Sequence, residues 1–166
     1  MRWRNGAKVL LALCALAALG GCKEERVSIG EKAPALAAYD LAGRPAELTR
    51  WQGKSVYLNF WSSGCGGCLA EMATLEKLSR RYGDRVAVVA VNTDPDGVDI
   101  APLLAQQKIG YPVIRDQLGI TKERYQVIGT PTSFIIDAAG KVIAQHQGAR
   151  TEQQLKELFA QLAHGA

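Results

Sequence analysis

Two cysteines stand two residues apart in the stretch Asn59-Phe60-Trp61-Ser62-Ser63-Gly64-Cys65-Gly66-Gly67-Cys68-Leu69-Ala70-Glu71. Thiols at this spacing close a small disulfide with little backbone movement, so the pair can cycle between dithiol and disulfide, exchanging two electrons. The residues before the motif read as an apolar strand and those after it as the start of a helix. A helix start aims its free N–H groups and its positive end at the first sulfur, which stabilises a thiolate there. Cys65 is therefore expected to be the attacking sulfur. Cys68, about one turn further in, is expected to be less exposed and to resolve the intermediate.

The elements that must hold this turn are legible on either side. Residues 56–61 form a short, nearly continuous apolar run, as in a strand buried on both faces. Leu69, Met72, Leu75 and Leu78 recur every three residues after the cysteines, and Gly83 can end that helix. Residues 86–91 are a second buried strand, followed by a polar loop at 92–97 and a helix over 99–108 that places Pro102 in its first turn. A strand at 111–115 and a short helix at 117–126 follow. Gly129-Thr130-Pro131-Thr132 then leads into a strand at 133–136, a turn at 137–140 and a return strand at 142–147. Thr151 and Gln154 make a capping box for a last helix with Leu155, Leu158, Phe159 and Leu162 on one face. Ahead of all this, the turn signal at 40–43 predicts a small β-hairpin within 34–54. The order predicts an α/β fold: a mixed central sheet with helices on both faces and the reactive turn at the C-terminal end of a parallel strand.

At 166 residues and 48% hydrophobic composition the chain can bury one real core. Its formal charge is +4, but three of its 20 Lys and Arg residues, Arg2, Arg4 and Lys8, lie in the first eight positions. The other 17 nearly match the 16 Asp and Glu, a balance that argues against nucleic acid as a partner. The basic start, the apolar run from Val9 to Leu19 and Gly20-Gly21-Cys22 read as an export signal, too short to span a bilayer, which takes about 20 residues. Leu19-Gly20-Gly21-Cys22 resembles the lipobox of bacterial lipoproteins, which makes Cys22 the expected lipidation site. The expected organisation is a signal peptide over 1–21, a tether over 22–33 and one domain over 34–166, exported and held at a membrane on the periplasmic or outer side. Of four cysteines, only Cys65 and Cys68 fall within that domain, so it is not a disulfide scaffold.

Taken together, the leading hairpin, Asn59-Phe60-Trp61 before Cys65-Gly66-Gly67-Cys68, Glu71, Val91-Asn92-Thr93-Asp94 and Thr130-Pro131-Thr132 resemble the thioredoxin fold. In particular the chain is similar, over about residues 30–163, to the membrane-tethered TlpA/ResA-like thiol-disulfide oxidoreductases of bacteria. The resemblance implies a thioredoxin-like fold with an N-terminal β-hairpin and an inserted helix, and no cofactor or metal beyond the redox-active disulfide. It also implies protein thiols or disulfides as substrates, apocytochrome c among them, and a membrane electron donor for the reductase direction. It makes Pro131 a cis-proline packed against the disulfide, leaving the Thr130 backbone to pair with a substrate chain. It assigns Glu71, a helical neighbour of Cys68 at three residues' distance, as the base for Cys68, a role that needs a partly buried carboxylate. Asn59 stands where ordinary thioredoxins carry a buried aspartate, so another base is required. Trp61, next to the motif, either shapes the substrate surface or packs in the core. The family usually has proline just before the second cysteine and often a large residue just before the first, where this chain has Gly67 and Gly64. Two glycines inside the motif cost on the order of 1 kcal/mol each against alanine in a helical position.

Two other chemistries stand beside this one. A C-x-x-C can bind a soft metal such as copper, but a closed zinc site takes four ligands and the domain offers only His146 and His164 besides. A thiol peroxidase shares the fold, yet needs a threonine and a proline shortly before its reactive cysteine, and Trp61-Ser62-Ser63-Gly64 has neither.

Overall fold

The apolar run at 56–61 becomes a central strand because both of its faces are covered. In the computed structural model, which describes residues 25–165, it lies in β2 (Ser55–Trp61), all seven residues of which are buried. Beside it run β3 (Val86–Asn92), parallel, and β5 (Thr132–Ile136), antiparallel. With β1 (Tyr39–Asp40), β4 (Val113–Arg115) and β6 (Val142–Gln147) they form one mixed sheet in the order β1-β4-β3-β2-β5-β6.

Strand alternation divides the core in two. Tyr57 and Trp61 face Met72 and Leu75 of α1 (Gly66–Tyr82) and Leu155 and Phe159 of α4 (Glu152–His164). The intervening Leu58 and Phe60 pack on the other side with Phe134, Ile136 and Tyr125. There the ring centroids of Tyr125 lie 5.4 Å from Phe60 and 5.1 Å from Phe134, the latter edge to face. Leu75 is wholly buried in the first core. Leu75→Ala is expected to lower unfolding free energy by about 2–5 kcal/mol, read as a lower urea midpoint with an unchanged m-value.

The shorter elements differ from expectation in their extents. Within 34–54 the hairpin shrinks to β1, with Tyr39 bridged to Pro45, because proline has no N–H with which to extend a ladder. The Asp40 carboxylate holds the turn through the amides of Ala42 and Arg44, and a 3-10 turn, Leu48–Trp51, follows. α2 (Ala101–Gln106) does carry Pro102 in its first turn. It stops before Lys108, whose φ of 54° takes the backbone out of the helix. α3 (Ile120–Arg124) starts late because the buried Asp116 accepts from the amides of Thr121 and Lys122. The ordered body also begins before residue 34. Val27 donates its amide to Arg124, Gly30 to Val142 and Ala33 to Gly140, so residues 27–33 of the expected tether are fastened along the domain. The expected signal peptide and Cys22 lie outside the described residues.

Candidate active site

β2 delivers the motif and α1 receives it. Cys65 is the N-cap of α1, with extended backbone angles, and its Sγ accepts the amide hydrogen of Cys68 at 3.1 Å. Cys65 and Cys68 are joined as a disulfide, Sγ–Sγ 2.06 Å. Cys65 is half-buried, whereas Cys68 is 1% exposed. After reduction the amide and the helix end that face Cys65 Sγ favour its thiolate over that of Cys68.

Three segments frame the pair. The turn before it is held by Asp94, whose carboxylate accepts the Ser63 amide at 2.9 and 3.2 Å and the Asn92 side-chain amide at 2.8 Å. The Ser62 and Thr130 hydroxyls are 3.3 Å apart, linking that turn to the loop before β5. In that loop the Thr130–Pro131 peptide is cis, with Pro131 buried and Thr130 half-buried. The third segment is the turn between β6 and α4, where the Gly148 amide donates to the Pro131 carbonyl. A Cβ on Gly67 would fall 3.3 Å from Ala149 Cβ and 3.7 Å from Pro131 Cδ. Gly67 thus lets two of the framing segments close against the motif, while Gly64 and Gly66 face open space.

Glu71, only 3% exposed, lies on α1 among apolar residues. Its Oε1 accepts the backbone amide of Arg150, and its Oε2 has no hydrogen-bond partner among the described residues. Burial raises the carboxyl pKa, against the opposing pull of the Arg150 amide and charge. The Arg150 guanidinium is itself held by the Tyr57 hydroxyl at 3.1 Å and by Ser133 Oγ.

The structure therefore gathers Cys65, Cys68, Thr130 and Pro131 around one turn, with Glu71 one helical step below. Trp61 is a correction to the expected substrate-binding set. At 1% exposure it lies under the motif in the same core as Cys68 and Met72, so it offers no surface to a substrate. Asn59 is buried with its Oδ1 unpartnered among the described residues. His146 lies on β6 and His164 at the end of α4, and among the described residues no three His, Cys, Asp or Glu side chains gather. Asp94 stands in the Val91-Asn92-Thr93-Asp94 motif without a role legible in sequence, and Arg150 lies in no motif at all. Arg150 had one signal: a cation just before a helix N-terminus opposes the dipole unless something else holds it.

Residues 28–162 match the Redoxin family. The chain is 36% identical over 141 residues to thiol-disulfide oxidoreductase ResA of Bacillus thuringiensis subsp. konkukian, covering 84% of this chain and 82% of that protein. It is 32% identical over 138 residues to the thioredoxin-like protein YneN of Bacillus subtilis, covering 81% of each. Among solved structures, the Chlorobium tepidum protein assigned as thiol:disulfide interchange protein DsbE superposes with a TM-score of 0.75 at 35% identity, over 82% of this chain and 99% of that one.

Proposed function

The chain belongs to the Redoxin family as a thiol-disulfide oxidoreductase of the ResA/DsbE type, and we propose that it is an exported, lipid-anchored reductase of disulfides in exported proteins. Its substrate class is the extended cysteine-bearing segment of a protein such as apocytochrome c, and its electrons come from a membrane donor. Cys22 carries the lipid, on the periplasmic or outer face of the membrane.

The observation that carries this reading is the division of labour between the sulfurs. One is half-exposed at a helix N-terminus; the other is buried one turn from a buried carboxylate with a free oxygen. The Cys65 thiolate attacks a substrate sulfur, forming a mixed disulfide and releasing the other substrate sulfur as a thiolate. Glu71 takes the Cys68 proton, and the Cys68 thiolate attacks Cys65 Sγ, releasing the second substrate sulfur. Two electrons pass to the substrate, and Cys65–Cys68 is left as the disulfide. Thr130, ahead of the ring of Pro131, supplies backbone to align the substrate strand.

The deciding experiment is the reduction potential of the purified protein, by equilibration with dithiothreitol or glutathione of known poise. A value near or below about −270 mV fits a reductant fed from a membrane; a value near −120 mV makes it a dithiol oxidant and overturns the reductase direction. For the substrate, the reduced protein is expected to reduce an oxidised C-x-x-C-H peptide, the haem-attachment sequence, faster than it reduces insulin. For the anchor, Cys22→Ala is expected to abolish incorporation of labelled fatty acid.

A further inference from the structure

A half-buried arginine with no ion pair among the described residues invites the question of what it holds. Arg150 follows β6 and immediately precedes Thr151, the N-cap of α4. Its Nη1 donates to Tyr57 on β2 and to Ser133 on β5, and its guanidinium carbon lies 5.7 Å from the Tyr57 ring centroid. Those contacts tie the 148–150 turn to two strands of the sheet. The backbone amide of the same residue donates to Glu71 Oε1.

We propose that Arg150 is the positioning residue of the resolving base: its side chain clamps the turn to β2 and β5 so that its own amide holds Glu71 Oε1, leaving Oε2 as the oxygen that takes the proton. This rests on the reading of Glu71 as the base for Cys68. A carboxylate fixed through one oxygen keeps the other in a defined place, and the fixed amide and nearby cation keep the buried acid ionisable at all. A lysine could supply the charge, but not the planar guanidinium that lies against the Tyr57 ring while Nη1 reaches both hydroxyls.

The charged and titratable groups facing Glu71 are few. Arg150 approaches from the turn before α4, Tyr57 from β2 and Tyr111 from the loop before β4; both tyrosines feel the Glu71 charge and are held neutral mainly by burial. His146 on β6 faces Arg150, and burial and that cation lower its pKa. Cys68 is on the same helix as Glu71.

The test is the titration of the Glu71 carboxyl by infrared difference spectroscopy across pH, with the Glu71 band identified by its loss in Glu71→Gln. Arg150→Ala is expected to move the midpoint up by about one pH unit, since it removes the cation and frees the amide. Arg150→Lys is expected to recover only part of that shift. The midpoint of the Cys68 resolution rate, followed by stopped-flow fluorescence, should move in parallel. If Arg150→Ala does not fold, Tyr57→Phe with Ser133→Ala releases the guanidinium and should raise the same midpoint. An unmoved carboxyl midpoint in the folded Arg150 or clamp variants overturns the proposal. Loss of the parallel between carboxyl midpoint and rate, with Glu71→Gln kinetically silent, overturns the base reading instead. The two failures are thus distinct.

Discussion

Cys68→Ala is expected to attack one substrate disulfide and stop. Cys65 keeps its half-exposed position, the Cys68 amide and the end of α1, so formation of the mixed disulfide should proceed at close to the parent rate. The second step is different. In the parent protein Cys68 is covalently part of the same helix turn as Cys65, and well-oriented intramolecular partners reach effective molarities of about 10⁵ M or more. An external thiol at about 1 mM must replace it, so turnover should fall by more than about 10⁴-fold even after a generous allowance for imperfect orientation. A stable adduct between Cys65 and a substrate cysteine, seen as a mass shift that dithiothreitol reverses, is the expected signature. Unimpaired multiple turnover in Cys68→Ala would show that Cys68 is not the resolving sulfur. Cys65→Ala provides the contrast, because Cys68 at 1% exposure cannot meet a protein substrate and no adduct should form.

The same asymmetry explains which parts of the molecule were legible in the chain. The C-x-x-C, its strand and its helix are local: their signals are a spacing of three, an apolar run and a three-residue repeat, all within 17 positions of α1 or just before it. Glu71 falls three residues after Cys68 on that helix, so their shared side is local as well. The contacts that define its environment are not local. Arg150 reaches Glu71 across 79 positions and Tyr57 across 93. No periodicity links residues so far apart, and an isolated arginine after Gly148-Ala149 reads as surface. For Trp61, sequence leaves two places open, the rim of the site and the core, and strand alternation points its ring into the α1 side of the core. The segment at 27–33 looked like tether because it is polar, whereas what fastens it is backbone hydrogen bonding to Arg124, Val142 and Gly140, to which side-chain polarity is blind.

Glu71→Gln is expected to separate catalysis from stability in opposite directions. The carboxyl pKa is raised, mainly by burial, so at pH values between the ordinary 4.5 and the raised value the folded protein holds a proton that the unfolded chain has released. Stability contributed by that bound proton is present at low pH and is lost as pH rises through the folded value; above it the protein carries the cost of a buried carboxylate. Glutamine keeps an oxygen for the Arg150 amide and removes the charge, so the variant should be more stable than the parent at neutral pH and should lose that advantage below pH 4.5. Resolution by Cys68 should suffer, because a neutral amide cannot take the thiol proton. General-base assistance accounts for about 10²–10⁴-fold in rate, so a fall of about 10²-fold at pH 7 is expected. That deficit should shrink toward alkaline pH, where Cys68 ionises unaided, and the parent's rise in rate through the Glu71 midpoint should vanish. Stopped-flow kinetics from pH 5 to 10, set beside urea unfolding over the same range, measure both halves. A slower resolution without the gain in neutral-pH stability would mean that the folded protein ionises Glu71 as readily as the unfolded chain does, so that burial imposes no cost on its carboxylate. The gain in stability without a slower resolution would leave Cys68 to be deprotonated by another group.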